Sequence, residues 1–186
     1  MEQRELVERA GRGDHAAFTQ LVDGSIRRLD AAARLIVRDP HLAQDAVQDT
    51  LIRAWRDLPG LRDPDQFDAW LHRLAVNACL DLLRRRRRRP IEVELSPIDS
   101  IHTPDHSVAI GDRELIDDAL RRLDPGHRAV VALHYLLGMP LPDVAASLGI
   151  PYGTAKSRLH YALATMRRGV EAEAQQAAAI PGGQPA

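Results

Sequence analysis

One cysteine, Cys79, and one lysine, Lys156, are present in 186 residues. A single thiol excludes an internal disulfide, and its place in an apolar helical pattern marks Cys79 as a small core residue and not a nucleophile. No histidine and acid pair can be set beside it, as nucleophilic catalysis would need. No stretch approaches the roughly 18 uninterrupted apolar residues of a membrane span, and no charged-then-apolar start suggests export. A cytoplasmic chain that does not enter a membrane is therefore expected. Glycine-rich phosphate loops, metal-ligand spacings and nucleophile motifs are absent too. His102 and His106, four apart beside Pro104, are weak ligands at best. An enzyme is thus disfavoured, and no catalytic residue, metal or cofactor is expected.

Charge is present in quantity but unevenly placed. The formal net charge of −1 conceals blocks. Residues 1–70 carry ten Arg against thirteen Asp and Glu, a net of −3, whereas 71–89 carry seven Arg against Asp81 alone, a net of +6. Residues 90–110 then hold four acids, no Lys or Arg and three prolines. Such blocks argue for polyanion contact at two separated places with an acidic segment between them. The length allows one medium domain or two small ones.

Residues 141–168, LPDVAASLGIPYGTAKSRLHYALATMRR, read as two helices meeting at a turn. Val144, Ala145 and Leu148 share a face of a helix opened by Pro142, Gly149 supplies the left-handed turn, and Pro151 cannot continue the helix. In the second helix, starting near Gly153 or Thr154, Ala155, Leu159, Ala162, Leu163 and Met166 point inward. Thr154, Lys156, Ser157, Arg158, His160 and Tyr161 point outward, and 154–168 has four basic residues and no acid. A helix of that kind enters a major groove with its N-terminal residues on base edges. The plain alternative is a helix pair in an all-helical protein.

Upstream, Asp14 caps a helix with His15, Phe18, Leu21 and Val22 at helical spacing. A second pattern through Ile26, Leu29, Ala33 and Ile36 continues it or forms its neighbour, with Gly24 and Ser25 as a candidate break. Residues 43–57 form a third helix with Ala43, Val47, Leu51 and Trp55 on one face and Asp45, Gln48, Asp49 and Arg53 outward. A loop, LPGLRDPDQ, precedes a helix whose core face is Phe67, Trp70, Leu71, Leu74, Ala75, Ala78 and Leu82. Its other face holds His72, Arg73, Asn77, Asp81 and six consecutive arginines, far more than a helix C-terminus needs, so phosphate binding is the better account. After the linker, one helix follows from Asp112 and another spans 127–137.

These segments in this order resemble the bacterial RNA polymerase sigma factors, extracytoplasmic-function subfamily of the sigma-70 family. GDHAAFTQLV, AQDAVQDTLIRAW and FDAWLHRLAVNACLDLLRRRRR match the first half, and LDPGHRAVV, DVAASLGI and GTAKSRL the second. The resemblance implies an all-α chain with two small helical domains joined by an extended linker, the second containing the helix-turn-helix. The expected division is a flexible N-terminus (1–12), domain 2 (13–89), acidic linker (90–111), domain 4 (112–170) and flexible tail (171–186).

It implies a protein that binds core RNA polymerase through its β′ clamp coiled coil and β flap, directs it to promoter DNA and helps melt the minus-ten element. It also implies an anti-sigma factor as partner. Asp45, Gln48, Asp49 and Leu51 are carried over as core-binding positions. Leu61, Arg62 and Asp63 of the loop, with Arg73, Asn77, Arg84, Arg85, Arg86, Arg87 and Arg88, are carried over to the minus-ten element. Lys156, Ser157, His160 and Tyr161 are the base-facing candidates at the minus-thirty-five element, with Thr154 and Arg158 on phosphates. Two departures stand out: Leu61 and Asp63, followed by Pro64, replace an aromatic and a glycine common in the loop, and Tyr161 stands where arginine is frequent. A stand-alone helix-turn-helix regulator is the alternative, but it would not need AQDAVQDT beside an arginine-ended helix.

Overall fold

The computed structural model describes residues 3–88 and 110–178, with side chains described for 3–88 and 116–172. The acidic linker falls outside the described residues except for its last two, where a helix has begun, and so do residues 179–186. Among the described residues all regular structure is helical.

Helix α1 (Gln3–Gly11) corrects the reading of the first dozen residues as a flexible end: Val7 and Ala10, three apart, are 4% and 3% exposed. They join an apolar cluster with Val22, Leu29, Leu58, Phe67 and Leu71, so burial of one narrow stripe holds the helix down. Helix α2 (His15–Val37) starts where Asp14 accepts from the Ala17 amide at 3.0 Å, as its position predicts. It runs unbroken through Gly24 and Ser25, against the expected break. Gly24 has no neighbour where a Cβ would stand and Ser25 is buried, so the pair packs without interrupting the hydrogen bonds.

Helix α3 (Pro40–Asp57) is capped by Asp39, whose carboxylate accepts from the His41 and Leu42 amides, with Pro40 at the tolerated first position. Its buried stripe is Ala43, Ala46, Thr50 and Ala54, one step round from the expected face; Val47, Leu51 and Trp55 flank it half-buried. Small residues win the centre because they let α3 approach its neighbours closely, and the buried Thr50 hydroxyl donates to the Ala46 carbonyl at 2.6 Å. Trp55 stacks on His15, ring centroids 4.2 Å apart, and meets the edge of Phe18. Two single 3-10 turns (Leu58–Gly60 and Pro64–Gln66) replace the expected loop and lead into α4 (Phe67–Arg88).

The second half contains α5 (Ile110–Arg121), α6 (Pro125–Val131), α7 (Leu141–Leu148) and α8 (Tyr152–Ala178). Asp124 caps α6 through the His127 amide at 3.0 Å. The expected single helix over 127–137 instead widens after Val131 into a turn at Ala132–Leu136, in which the Leu137 amide reaches the Ala132 carbonyl at 3.0 Å. Gly149 ends α7 in the left-handed region at φ 62°, where a side chain would be strained, as the helix-turn-helix reading requires. Helix α8 passes well beyond the expected end of its domain. At Gly169 it crosses α5 so closely that a Cβ would lie 3.2 Å from the Ala119 methyl.

The halves are not separate bodies. Ile36, Val37 and Val76 of the first share one apolar cluster with Val130, Leu133, Met139 and Val144 of the second, and Leu35 packs against the cluster of Leu120, Leu123 and Ala162. Polar contacts register the junction. The Arg38 guanidinium donates to both oxygens of Asp117 at 2.7 and 2.8 Å, and Arg128, 7% exposed, donates to the Ile36 carbonyl at 3.0 Å and to that of Leu123. Ile36 lies in the last turn of α2, whose carbonyls have no partner within the helix. Arg128 therefore caps a helix of the other half. Burial lowers its pKa to about 10, which leaves it charged at neutral pH.

Cys79 is 1% exposed, and burial pushes its thiol up to about 12, so its thiolate fraction near neutrality falls roughly a thousandfold. Iodoacetamide at pH 8 is expected to leave Cys79 unmodified in the folded chain and to alkylate it in denaturant. Rapid alkylation of the native protein, followed by intact mass, would contradict this burial.

Candidate nucleic-acid and polymerase interface

The polymerase-facing candidates divide along α3. Asp45 and Gln48 are exposed; Asp49 is half-exposed and tied to Arg53 at 2.6 Å; Leu51 turns partly into the cluster below. Between them stands Ile52, 58% exposed. An isoleucine so uncovered beside acid and amide groups adds an apolar centre to a polar rim, the usual anatomy of a protein interface. Sequence periodicity missed it because the buried stripe was set one step away, which hid the fact that position 52 faces outward.

At the minus-ten candidates, Arg62 is exposed and unpaired, but Leu61 and Asp63 are committed to structure. Leu61 packs half-buried against the cluster of Val7, Leu58 and Phe67. The Asp63 carboxylate accepts from the Asp65 amide at 3.1 Å and caps the second turn. Arg4 of α1 reaches across, its Nη2 2.6 Å from Asp65 and 4.0 Å from Asp63. That exposed pair adds little stability, but it partly offsets the negative charge of Asp63 and Asp65 on the loop. Val7 and Ala10, three apart on α1, are the buried positions that hold the helix bearing Arg4 in place.

Along α4, Arg73 is exposed and lines a cleft of about 250 Å³ with Leu61, Gln66 and Trp70. Asn77, half-buried, lines a second cleft of about 430 Å³ with Leu80, Leu83, Arg84 and Arg87. Arg84 to Arg88 are exposed, but not all of them are free. Arg84 bonds Asp81 at 2.8 Å and Arg86 reaches Asp39 at 3.1 Å, whereas Arg85, Arg87 and Arg88 pair with no acid among the described residues. His72 was expected outward and is instead 4% exposed, its Nε2 without a hydrogen-bond partner. Burial lowers its pKa, so it adds no charge to the basic face.

On α8, Lys156, Ser157, His160 and Tyr161 are exposed and Thr154 and Arg158 are half-buried. The Ser157 hydroxyl donates to the Thr154 carbonyl at 3.0 Å, which leaves its oxygen lone pairs open as acceptors. Arg158 turns back on α6: a Cβ on Gly126 would stand 3.3 Å from its Nη1, so the guanidinium packs closely over the start of that helix. Tyr161 leans on the His127 ring, centroids 4.8 Å apart, and His127 Nδ1 lies 2.6 Å from Asp124. This chain of contacts fixes the aim of Tyr161. Tyr152, 53% exposed at the head of α8, is a further aromatic that sequence reading passed over as turn.

Comparison with known proteins bears on both halves. The family described as Sigma-70 region 2 matches residues 21–89, and Sigma-70, region 4 matches residues 113–166. The ECF RNA polymerase sigma factor SigM of Mycobacterium tuberculosis is 35% identical over 165 residues, 88% of this chain and 82% of that protein. The RNA polymerase sigma-E factor of Streptomyces avermitilis is 34% identical over 168 residues, 90% of this chain and 93% of its own. Among solved structures, CnrH in complex with the cytosolic domain of CnrY has a TM-score of 0.67 at 32% identity, covering 91% of this chain and 97% of the other. No helix among the described residues is long and apolar enough to cross a membrane. With a basic helix end in one half, a helix-turn-helix in the other and relatives matched across both, this chain belongs to the extracytoplasmic-function sigma factors of the sigma-70 family.

Proposed function

We propose that this chain joins core RNA polymerase through the exposed side of α3, carries it to promoters by two separate DNA contacts, and helps open the minus-ten element. The observation that carries this reading is the pairing of two acid-poor faces in different halves: the arginine end of α4 and the first turns of α8. Asp45, Gln48 and Ile52 supply the polymerase contact, the charges acting mainly on rate and specificity and the isoleucine on affinity. The β′ clamp coiled coil and the β flap are the polymerase parts assigned to the chain.

At the minus-ten element Arg62, Arg73, Arg85, Arg87 and Arg88 hold backbone phosphates, and Asn77 offers an amide donor and acceptor to a base edge. Taking a base out of its stack costs a few kcal/mol, which these contacts recover. Leu61 and Asp63 shape the loop and leave the phosphate contact to their neighbour Arg62. At the minus-thirty-five element Lys156, Ser157, His160 and Tyr161 face the bases, while Arg158 and Thr154 flank the backbone. An anti-sigma protein is a further proposed partner, by analogy with CnrH, which was solved bound to CnrY.

Transcription by core polymerase on a genomic fragment library tests the reading as a whole: transcripts with defined start sites should require the chain, and none appearing would sink it. Asp45→Ala combined with Gln48→Ala should weaken capture of core polymerase several-fold while leaving the circular dichroism melt unchanged. Undiminished capture would remove α3 from the contact. Lys156→Ala should cost about 1–3 kcal/mol of discrimination among minus-thirty-five sequences; an equal loss on every sequence would reduce Lys156 to a phosphate contact.

A further inference from the structure

Tyr161 is exposed, yet it is not free to swing. It is 51% exposed on the outward face of α8, and its ring rests on the imidazole of His127, centroids 4.8 Å apart and planes tilted by 46°. That separation lies within the range of favourable ring pairs. His127 belongs to another helix, in the first turn of α6, and is itself half-buried.

The imidazole is fixed in its turn. One oxygen of Asp124 accepts from the His127 amide at 3.0 Å, and the other lies 2.6 Å from the ring Nδ1. Burial would raise the Asp124 carboxyl, but the bonds from the His127 amide and ring hold it below its ordinary range. A carboxylate accepts and does not donate, so the ring bond is donated by Nδ1–H. Arg158, one turn before Tyr161 on α8, packs over Gly126 at the same helix start. The outward face of α8 is thus braced against α6 at two neighbouring side chains.

Such bracing bears on recognition. A phenol carries a large, rigid contact surface on two rotatable bonds, and a ring fixed from behind loses less freedom when DNA arrives. Among the outward groups, Lys156, Ser157 and His160 offer hydrogen bonds, and Tyr161 adds an extended apolar surface beside them. The apolar group that base edges present in the major groove is the 5-methyl of thymine.

We infer that His127 is a positioning residue of the minus-thirty-five contact: held by Asp124, its ring sets the phenol of Tyr161 against the methyl group of one thymine. It acts through Tyr161 and does not itself touch DNA. The inference rests on the assignment of α8 to the minus-thirty-five element.

The full chain, with and without core polymerase, is used to select a site from a pool of randomised duplexes. Each thymine of that site is then replaced singly by deoxyuridine, which removes the methyl group and nothing else. One replacement should weaken binding about fourfold, the worth of one methyl leaving water. His127→Gln keeps an N–H for Asp124 but removes the ring. It should abolish most of the preference for thymine while leaving affinity for the uracil duplex unchanged. His127→Phe returns a ring and should restore the preference. Tyr161→Ala should abolish it too, and His127→Gln added to Tyr161→Ala should change nothing more, as for residues that act as one unit. Circular dichroism confirms that each variant is folded. If His127→Gln weakens both duplexes equally, or its effect adds to that of Tyr161→Ala, His127 serves the packing of α6 alone and the inference is overturned. A selected site with no thymine sensitive to loss of its methyl overturns it as well. A pool from which nothing is enriched removes α8 as a reader, and this inference with it. A methyl-sensitive site without core-dependent transcription counts against the sigma reading alone.

Discussion

Arg128 leaves the helix-turn-helix half, crosses to the end of α2 and donates to the Ile36 carbonyl, beside the apolar cluster that the two halves share. A guanidinium in that place is tolerated because it satisfies carbonyls on both sides of the junction, at Ile36 and at Leu123. Remove it, and two buried acceptors lose their partner, at a cost of about 1–3 kcal/mol each. Around it, each well-buried Ile, Leu or Val contributes about 1.5–3 kcal/mol, so the apolar cluster supplies most of the cohesion and the arginines set the register. A few directional bonds thus decide the geometry in which the two apolar faces meet.

The same economy of charge appears at each face directed outward. Along the loop before α4 and at its arginine end, several acids are occupied, Asp63 as a cap and Asp65 by Arg4, while Asp81 and Asp39 hold Arg84 and Arg86. Arg85, Arg87 and Arg88 at the end of α4, with Arg62 and Arg73 before them, pair with no acid among the described residues. On α8 the opposite arrangement holds, with no acid within the first turns and the aim of Tyr161 set from behind by His127 and Asp124. Each surface is thus given its sign by pairs formed beneath or beside it, and formal net charge describes neither.

Much of the fold was legible in the chain because its signals are local. Asp14, Asp39 and Asp124 announce helix starts by the chemistry of their carboxylates, and Gly149 announces an end by its freedom at positive φ. Two domains in the right order followed from apolar spacing and motif. The errors share a cause as well. The stripe of α3 was misplaced because alanine carries little hydrophobic weight, although Ala43, Ala46 and Ala54 form the closest approach. His72 was placed outside because it is polar, though its helix turns it inward. Gly24 was read as a break, when a glycine within a long helix costs only about 1 kcal/mol, less than the packing on either side returns. Helix α1 went unread because a stripe as narrow as Val7 and Ala10 is persuasive only once Phe67 and Leu58 are seen above it.

Composition, charge blocks and motif order determined by themselves that this is a helical chain in two halves, with a run of arginines ending a helix in one and a helix-turn-helix in the other, since each of those properties is written in neighbours a few residues apart. That Arg38 meets Asp117, that Asp143 and Asp124 line clefts with the arginines of α4, and that the two halves share one apolar cluster were decided only by the tertiary structure. Such contacts join residues dozens of positions apart, and their strength comes from desolvation and geometry at the junction, quantities that no local pattern of side chains encodes.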